Sequence, residues 1–307
     1  MLPRLENIIG YLSCPDDKGS LTCHATGMAC SKCGRAFRVT DDGILDLLPR
    51  EPAVPPANQE YALEYKRQFN RALEAANAAK AWGTPDRFSQ TWIRKRQRQQ
   101  RAVLSLLVGS ARPLGNQVLC DVSAGPGDYT LSYAPHFKWV FHCDLSVDAL
   151  QYVIQRASRM RITNMILLHV DYFALPFCRS LDCVICFDTL IRGWDHETAL
   201  LGQIRGALSD GGKALVDFHN WWHNPLRRLG LLPQNFAQNR SYTRRRAEEL
   251  LRKVGIEEWR MEPFRQEFDP SSRWQTRLSS LLPATRLIYE FGSNQPIPRE
   301  RVPGCLC

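Results

Sequence analysis

The chain has 307 residues, of which 44% are hydrophobic and 23% charged, and its formal net charge is +9. This composition is typical of a folded globular protein and excludes a disordered or collagen-like chain. No apolar run approaches the roughly 20 residues of a membrane helix, and the N-terminus lacks the apolar segment of a secretory signal, so we expect a cytoplasmic protein with no membrane span.

Composition divides the chain into four zones. Residues 1–50 are rich in cysteine, and the proline-rich stretch Pro49–Asn58 ends this zone because proline interrupts helices and central strands. Residues 51–112 combine that linker with helical segments that are predicted to form a lid, and residues 113–292 alternate strands with helices. The last zone, 293–307, is predicted to be a loose tail.

The cysteines of the first zone have the spacing of metal ligands. In the reducing cytosol the 11 cysteines of the chain are expected to be thiols or metal ligands rather than disulfides. CSKC supplies a Cys-x-x-Cys knuckle, and in CPDDKGSL an aspartate stands where the second cysteine of a partner knuckle is expected. Three thiolates and one further ligand complete a tetrahedral zinc site, and metal-free packing of the segment is the alternative. The predicted ligands are Cys14, Asp17, Cys30 and Cys33, with Cys23 or His24 as the alternative fourth ligand.

The motifs CPDDKGSL, CSKCGRAF and DDGILDLLP of the first zone together resemble the small zinc-ribbon family that includes the activator subunit of eukaryotic tRNA and protein methyltransferases. The resemblance implies a small β module that binds zinc, or that keeps its fold through its core without metal. It also implies that the module offers a surface to a protein partner.

From Gln117 onward, short apolar runs alternate with helical stretches. This alternation predicts an α/β fold with a Rossmann-like parallel sheet that is covered by helices on both faces. Ser146 is expected to cap the helix that follows the second strand, because its side-chain oxygen can accept from a free backbone N–H. The predicted strands are Val118–Val122, Trp139–Asp144, Met165–Val170, Cys183–Phe187 and Lys213–Phe218.

The first strand runs into the turn VSAGPGD, which contains Gly125 and Gly127. Glycine lets backbone approach a ligand closely, and ligands of doubly wound sheets bind at the carboxyl ends of the strands. Asp144 closes the next strand about 20 residues further on, where an acid accepts hydrogen bonds from ribose hydroxyls. Asp171 follows the third strand, where a carboxylate can accept a hydrogen bond from an adenine amino group.

The segments DVSAGPGD, CDLS, VDYFALPF, DCVICFDTL and LSDGGKALVDF together resemble the class I S-adenosylmethionine-dependent methyltransferases over roughly Val103 to Gly292. The resemblance implies a seven-stranded sheet whose last two strands form an antiparallel hairpin, and IEEWRMEPF and ATRLIYEFG are suited to those positions. A nicotinamide dinucleotide fold and a degenerate copy that binds no cofactor are the competing interpretations. The first is disfavoured because the turn lacks a complete G-x-G-x-x-G.

The resemblance implies S-adenosylmethionine as the cofactor. Ser123 stands where the family usually has glycine, so we expect a slightly altered turn that still binds the cofactor. Asp121 is expected near the methionine end of the cofactor. The implied cofactor-binding residues are Asp121, Ser123, Gly125, Gly127, Asp144, Leu145, Asp171, Tyr172 and Asp188.

The candidates for catalysis follow the fourth and fifth strands. The segment DFHNWWHNPLRRLGLLPQNF is rich in Trp, His, Asn and Arg and is the predicted substrate wall or lid, because pockets pair aromatic walls with a few polar groups. Methyl transfer gains from holding the acceptor in line with the methyl group, and a base can take the proton of a hydroxyl or amine acceptor. The candidate catalytic residues are His219, Asp188 and His223, with His196 as a further candidate.

The predicted function is methyl transfer to a small hydroxylated or aromatic metabolite, because the segment after the fifth strand is aromatic. An RNA methyltransferase, acting on rRNA or tRNA with a zinc-finger RNA-binding module, is the alternative. Bacterial ribosomal-RNA guanine methyltransferases resemble this chain in the order of zinc finger, LLP and class I domain, and basic segments attract phosphate. A non-catalytic cofactor-binding or scaffold protein is the third possibility.

Overall fold

The computed structural model describes residues 5–24, 27–51, 90–108, 113–190, 194–220, 229, 231, 242–264 and 283–293. Most of the proline-rich linker, the predicted helical segments up to residue 89, His223 and the C-terminal tail lie outside the described residues.

The described part of the chain contains two sheets and five α-helices. None of these helices is long and apolar enough to cross a membrane. The strands are β1 Leu21–His24, β2 Gly27–Cys30, β3 Ala36–Arg38, β4 Leu45–Asp46, β5 Val118–Val122, β6 Trp139–Asp144, β7 Met165–His169, β8 Leu181–Leu190, β9 Leu208–His219, β10 Arg260–Phe264 and β11 Arg286–Gly292. The helices are α1 Gln90–Val108, α2 Asp128–Tyr133, α3 Val147–Arg159, α4 Trp194–Ala207 and α5 Arg244–Lys253.

The larger sheet has the order β10-β11-β9-β8-β5-β6-β7-β4. Its central strands are parallel, and β11 pairs antiparallel with both β9 and β10, as the sequence predicts. β5 and β6 have the predicted bounds, whereas β8 and β9 extend beyond them. From β5 the chain adds strands in one direction and from β8 in the other, so a crevice for a ligand lies between these two strands.

The sheet has eight strands rather than the predicted seven, because β4 joins its edge. β4 pairs in parallel with β7, through Leu45 with Leu168 and Asp46 with His169. The preceding Ile44 is buried in a hydrophobic cluster with residues of α3, among them Val153. A two-residue strand has no periodicity that a sequence pattern can reveal, so only the paired partner identifies it.

The N-terminal zone forms a three-stranded antiparallel sheet, β1-β2-β3, that packs directly on the larger sheet. The ring of Tyr11 meets that of Phe141 on β6 edge-on, with 6.0 Å between centroids. Ser13 N donates to Pro176 O at 2.8 Å, and Ser180 Oγ donates to Tyr11 O at 2.6 Å. The first zone and the larger sheet therefore share one hydrophobic core.

Candidate active site

The turn between β5 and α2 holds three residues in the left-handed backbone region: Ser123 with φ 59°, Gly125 with φ 54° and Gly127 with φ 76°. This region favours glycine, so Ser123 adopts a backbone conformation that residues with a side chain rarely take. A β-carbon on Gly127 would lie 2.8 Å from Val153 Cγ2. The turn therefore requires glycine at position 127 both for its backbone angle and for its close approach to α3.

Asp144 at the end of β6 is in direct contact with this turn. Gly125 N donates to Asp144 Oδ2 at 2.7 Å, and Ser146 N donates to Asp144 Oδ1 at 2.8 Å. Burial raises the pKa of Asp144, while these backbone N–H donors act in the opposite direction. Two of the features that the sequence predicts for cofactor binding, the glycine turn and the acid of the following strand, thus form one unit. Ser146 also caps α3 as predicted, by accepting from Ala149 N.

Asp121 lies beneath the turn, where it is 2% exposed. Thr130 Oγ1 donates to Asp121 Oδ2 at 2.6 Å and lies 2.9 Å from Nδ1 of His142 on β6. Burial lowers the pKa of His142 to about 3, so its imidazole is neutral. These three buried side chains tie the first turn of α2 to β5 and β6. Thr130 and His142 were not predicted, because neither belongs to a recognisable motif.

Arg156 on α3 also forms hydrogen bonds with this turn. Its Nη1 donates to Pro126 O at 2.7 Å and to Asp128 Oδ1 at 3.1 Å. We expect Arg156→Met to weaken S-adenosylhomocysteine binding about tenfold, equivalent to about 1.4 kcal/mol, because a charge-assisted bond to the turn backbone is lost. Isothermal titration measures this change. The matched control is Arg159→Met, at an exposed position of the same helix, and equal losses in the two variants would contradict the role of Arg156.

Leu145, Asp171 and Tyr172, three further predicted cofactor residues, follow the ends of β6 and β7, whereas the last one, Asp188, lies in β8. Asp171 accepts a hydrogen bond from Phe173 N at 2.9 Å, and the carbonyl of Leu145 lies 3.2 Å from His169 Nε2. The hydroxyl of Tyr172 lies 2.9 Å from His196 Nε2. The catalytic candidate His196 is therefore placed beside a predicted cofactor residue, and not with the other candidates on β8 and β9.

Asp188 lies in a bulge of β8. Cys186 pairs with Val216 and Leu190 with Phe218, so β8 contains two more residues than β9 over this stretch. Asp188 has φ 61°, and its N–H donates to Asp217 Oδ1 at 2.7 Å. A bulge re-aims the side chain that it carries, and here it places the carboxylate of Asp188 at the carboxyl end of the sheet.

Four side chains from three strands meet at this bulge. His219 Nε2 donates to Asp188 Oδ1 at 2.9 Å, so two predicted catalytic candidates are in contact. Arg286 Nη1 lies 2.6 Å from Asp188 Oδ1 and 2.6 Å from Asp217 Oδ2. Burial by itself lowers the pKa of Arg286, but the two carboxylates outweigh it and raise that pKa. Arg286 and Asp217 were not predicted, and the third catalytic candidate, His223, lies outside the described residues.

A second cluster lies in the N-terminal sheet. The ligand atoms of Cys14, Asp17, Cys30 and Cys33 all lie within 4.8 Å of one another. A β-carbon on Gly19 would lie 2.8 Å from Cys30 Sγ, so glycine makes room for the cluster. Burial raises the pKa of Cys14 to about 12, whereas the Gly19 N–H bond is the main cause that lowers the pKa of Asp17.

The alternative fourth ligands are not part of this cluster. Cys23 and His24 lie on β1, opposite Met28 and Gly27 of β2, and the described residues place neither with the three cysteines. Asp17 completes the cluster and follows Cys14 by three residues, as Cys33 follows Cys30. Three sulfur donors and one carboxylate oxygen in this space fit tetrahedral zinc.

Residues 119–212 match a family model described as a methyltransferase domain. No curated protein matches the chain. Among solved structures, the chain is similar to magnesium protoporphyrin IX methyltransferase (ChlM) from Synechocystis PCC 6803 with bound SAH, at 16% identity and a TM-score of 0.53 over 74% of this chain and 99% of that one. The same Synechocystis enzyme with bound SAM gives a TM-score of 0.50 at 16% identity, over 74% of this chain and 96% of that one.

Phosphoethanolamine N-methyltransferase 2 from Haemonchus contortus, in complex with S-adenosyl-L-methionine, matches at 17% identity with a TM-score of 0.48. That match covers 64% of this chain and 53% of the Haemonchus protein, so the chain spans about half the length of this relative. The similarity to the Synechocystis structures shows the fold of the larger sheet. The family model matches residues 119–212, which include part of this sheet, as a methyltransferase domain.

Proposed function

We propose that this chain, which contains a class I S-adenosylmethionine-dependent methyltransferase domain, transfers a methyl group from that cofactor to a small-molecule acceptor. The observation that carries the proposal is the contact between Gly125 N, in the turn after β5, and Asp144 Oδ2 at the end of β6, inside the matched residues. The cofactor supplies a methyl group activated on a sulfonium.

Different residues around the crevice are proposed to bind different parts of the cofactor. Asp144 has its carboxylate oriented by two backbone N–H groups and is suited to accept hydrogen bonds from ribose hydroxyls. The left-handed turn through Gly125 and Gly127 brings backbone close to the ligand. Asp171, at the end of β7, is the candidate acceptor for an adenine amino group. The chain accelerates the transfer mainly by holding the acceptor in line with the methyl group.

The direct test is isothermal titration of the full chain with S-adenosylmethionine and S-adenosylhomocysteine. We expect both to bind in the micromolar range. If neither binds, the proposal is refuted for the isolated chain, and the scaffold alternative becomes the favoured one. Methyl transfer to RNA would instead show as RNA binding that weakens steeply with salt, whereas binding of an uncharged small molecule should hardly respond to salt.

We also propose that Cys14, Asp17, Cys30 and Cys33 hold a structural zinc ion. All four ligands are protein atoms, which is the closed arrangement of structural rather than catalytic zinc sites. The N–H groups of Lys32 and Cys33 point at Cys30 Sγ, at 3.3 and 3.4 Å, and would stabilise its thiolate. Binding would release the proton of Cys14, so zinc affinity should fall as pH falls.

Replacing Cys30 with serine should remove the zinc and lower the Tm by roughly 5 °C or more, because metal binding contributes to folding. Metal analysis and thermal unfolding of the same samples measure both effects. Cys23→Ser is the matched control, since Cys23 lies in the same module but outside the cluster. Wild-type protein that contains no zinc after growth in zinc-supplemented medium would refute the site.

A further inference from the structure

The four side chains at the β8 bulge differ sharply in their exposure to solvent. The side chain of Asp188 is 37% exposed, whereas that of Arg286 is 11%, that of His219 2% and that of Asp217 0% exposed. A molecule that approaches this group from the crevice therefore meets the carboxylate of Asp188. The other three side chains are largely buried.

Arg286 and His219 both contact the carboxylate of Asp188. Arg286 Nη1 is 2.6 Å from Asp188 Oδ1, and the same oxygen accepts from His219 Nε2 at 2.9 Å. A positive neighbour and a hydrogen-bond donor both favour the charged form of a carboxylate.

The same contacts argue against a divalent metal at this group. Asp188, Asp217 and His219 offer ligand atoms within 4.8 Å of one another, which by itself would suit a cation. Arg286 already places its guanidinium 2.6 Å from an oxygen of each carboxylate. A metal ion would have to displace this buried charge, so Arg286 is the cation of the group.

We infer that the methyl acceptor is an amine and that Asp188 is the group that binds it. This inference rests on the function proposed above. In the transfer, the nitrogen lone pair forms the bond to the methyl carbon, the carbon–sulfur bond breaks with its electron pair going to sulfur, and the positive charge passes from sulfur to nitrogen. A fixed carboxylate beside the nitrogen stabilises that developing charge. The nitrogen needs its lone pair, so an acceptor that arrives as an ammonium ion first gives its proton to water, and the transfer itself then needs no base.

Other acceptor classes fit this surface less well. A hydroxyl acceptor gains from a base, and a carboxylate held by Arg286 is a weak one. A carboxylate acceptor would bring a second anion against Asp188, which is unfavourable at this distance from buried charges. The ring of Tyr129 stacks on that of Phe187, the residue before Asp188, with 5.0 Å between centroids. Both rings are buried in the core, so the three probes below share an aromatic ring only to match them in size.

The test uses three probes of matched size: benzylamine, benzyl alcohol and benzoate. Each is titrated into wild-type protein saturated with S-adenosylhomocysteine. We expect the Kd of benzylamine to be at least about tenfold lower than that of benzoate, with the Kd of benzyl alcohol between the two. The chain has a net charge of +9, which by itself attracts the anion, so a preference for the amine must arise locally. Equal affinities, no binding of any probe, or a preference for benzoate would overturn the proposal.

The variant Asp188→Asn tests whether Asp188 causes the preference for benzylamine over benzoate. Asparagine tolerates a positive φ, so the bulge should persist, and thermal unfolding checks that it does. We expect the preference for benzylamine over benzoate to disappear in this variant and to remain in Asp210→Asn, whose side chain is 84% exposed at the opposite end of β9. Retention of the preference in Asp188→Asn would overturn the assignment.

Failure of the proposed function is distinguishable from failure of this inference. If S-adenosylhomocysteine does not bind, the methyltransferase proposal fails, and the same three titrations on protein without cofactor still measure the preference at Asp188. If the cofactor binds and the probes show no preference for the amine, only the acceptor class is wrong.

Discussion

Replacing Asp144 with alanine should raise the Kd of S-adenosylhomocysteine about 100-fold, which corresponds to about 2.7 kcal/mol. The expected loss has two causes. The carboxylate that is proposed to bind the ribose hydroxyls disappears, and Gly125 N loses the acceptor that it contacts at 2.7 Å, so the turn loses its anchor on β6. Isothermal titration of both proteins measures the change.

Asp148→Ala is the matched control for Asp144→Ala. Asp148 is an exposed acid in the first turn of α3, four residues further along the chain. Its loss removes the same charge but none of the contacts to the turn, so we expect cofactor affinity to stay close to that of the wild type. If Asp144→Ala keeps wild-type affinity, Asp144 is not the ribose-binding acid.

Replacing Arg286 with methionine should lower the free energy of unfolding by about 3–5 kcal/mol, because removing one partner leaves buried charge uncompensated. Asp217 is fully buried, and burial already raises its pKa even with Arg286 in place. Without the guanidinium, Asp217 and Asp188 would repel each other across the bulge. Urea unfolding followed by fluorescence measures the loss.

Two further variants test the cause of that loss. Arg260→Met lies on the neighbouring strand β10 with its side chain 69% exposed, and we expect a change of less than about 0.5 kcal/mol. Asp217→Asn in the Arg286→Met background removes the buried carboxylate that the first substitution deprives of its guanidinium. It should recover part of the lost free energy of unfolding. If Arg286→Met and Arg260→Met destabilise equally, the charge cluster does not contribute as described.

The N-terminal module is connected to the glycine turn through side chains that pack against one another. Ile44 lies in the same buried cluster as Val153, and Val153 is the side chain that a β-carbon on Gly127 would strike. Asp46 Oδ1 lies 3.2 Å from His169 Nδ1, and His169 Nε2 lies 3.2 Å from the carbonyl of Leu145. The module therefore supports both sides of the predicted cofactor site.

Local patterns in the sequence predicted the central strands and the glycine turn. β5 and β6 have the predicted bounds because each is a short apolar run that ends where an acid or a glycine turn begins. Such signals lie within a few residues of one another, and hydrophobic periodicity reports them directly. The four cysteine-cluster residues were predicted for the same reason, since the knuckle spacing is local.

Contacts between distant residues were decided by the tertiary structure alone. Arg286 lies 98 positions after Asp188, and its sequence context, ATRLIYEFG, carries no sign of a buried charge partner. Likewise, β4 becomes a strand only because β7 offers it an edge, and Thr130 and His142 meet only because α2 folds back on β6. The sequence by itself determined which segments become strands, where the turn lies and which cysteines have ligand spacing. Which charges face each other was decided by strand pairing, because the antiparallel β11 begins beside the carboxyl ends of the parallel strands β8 and β9.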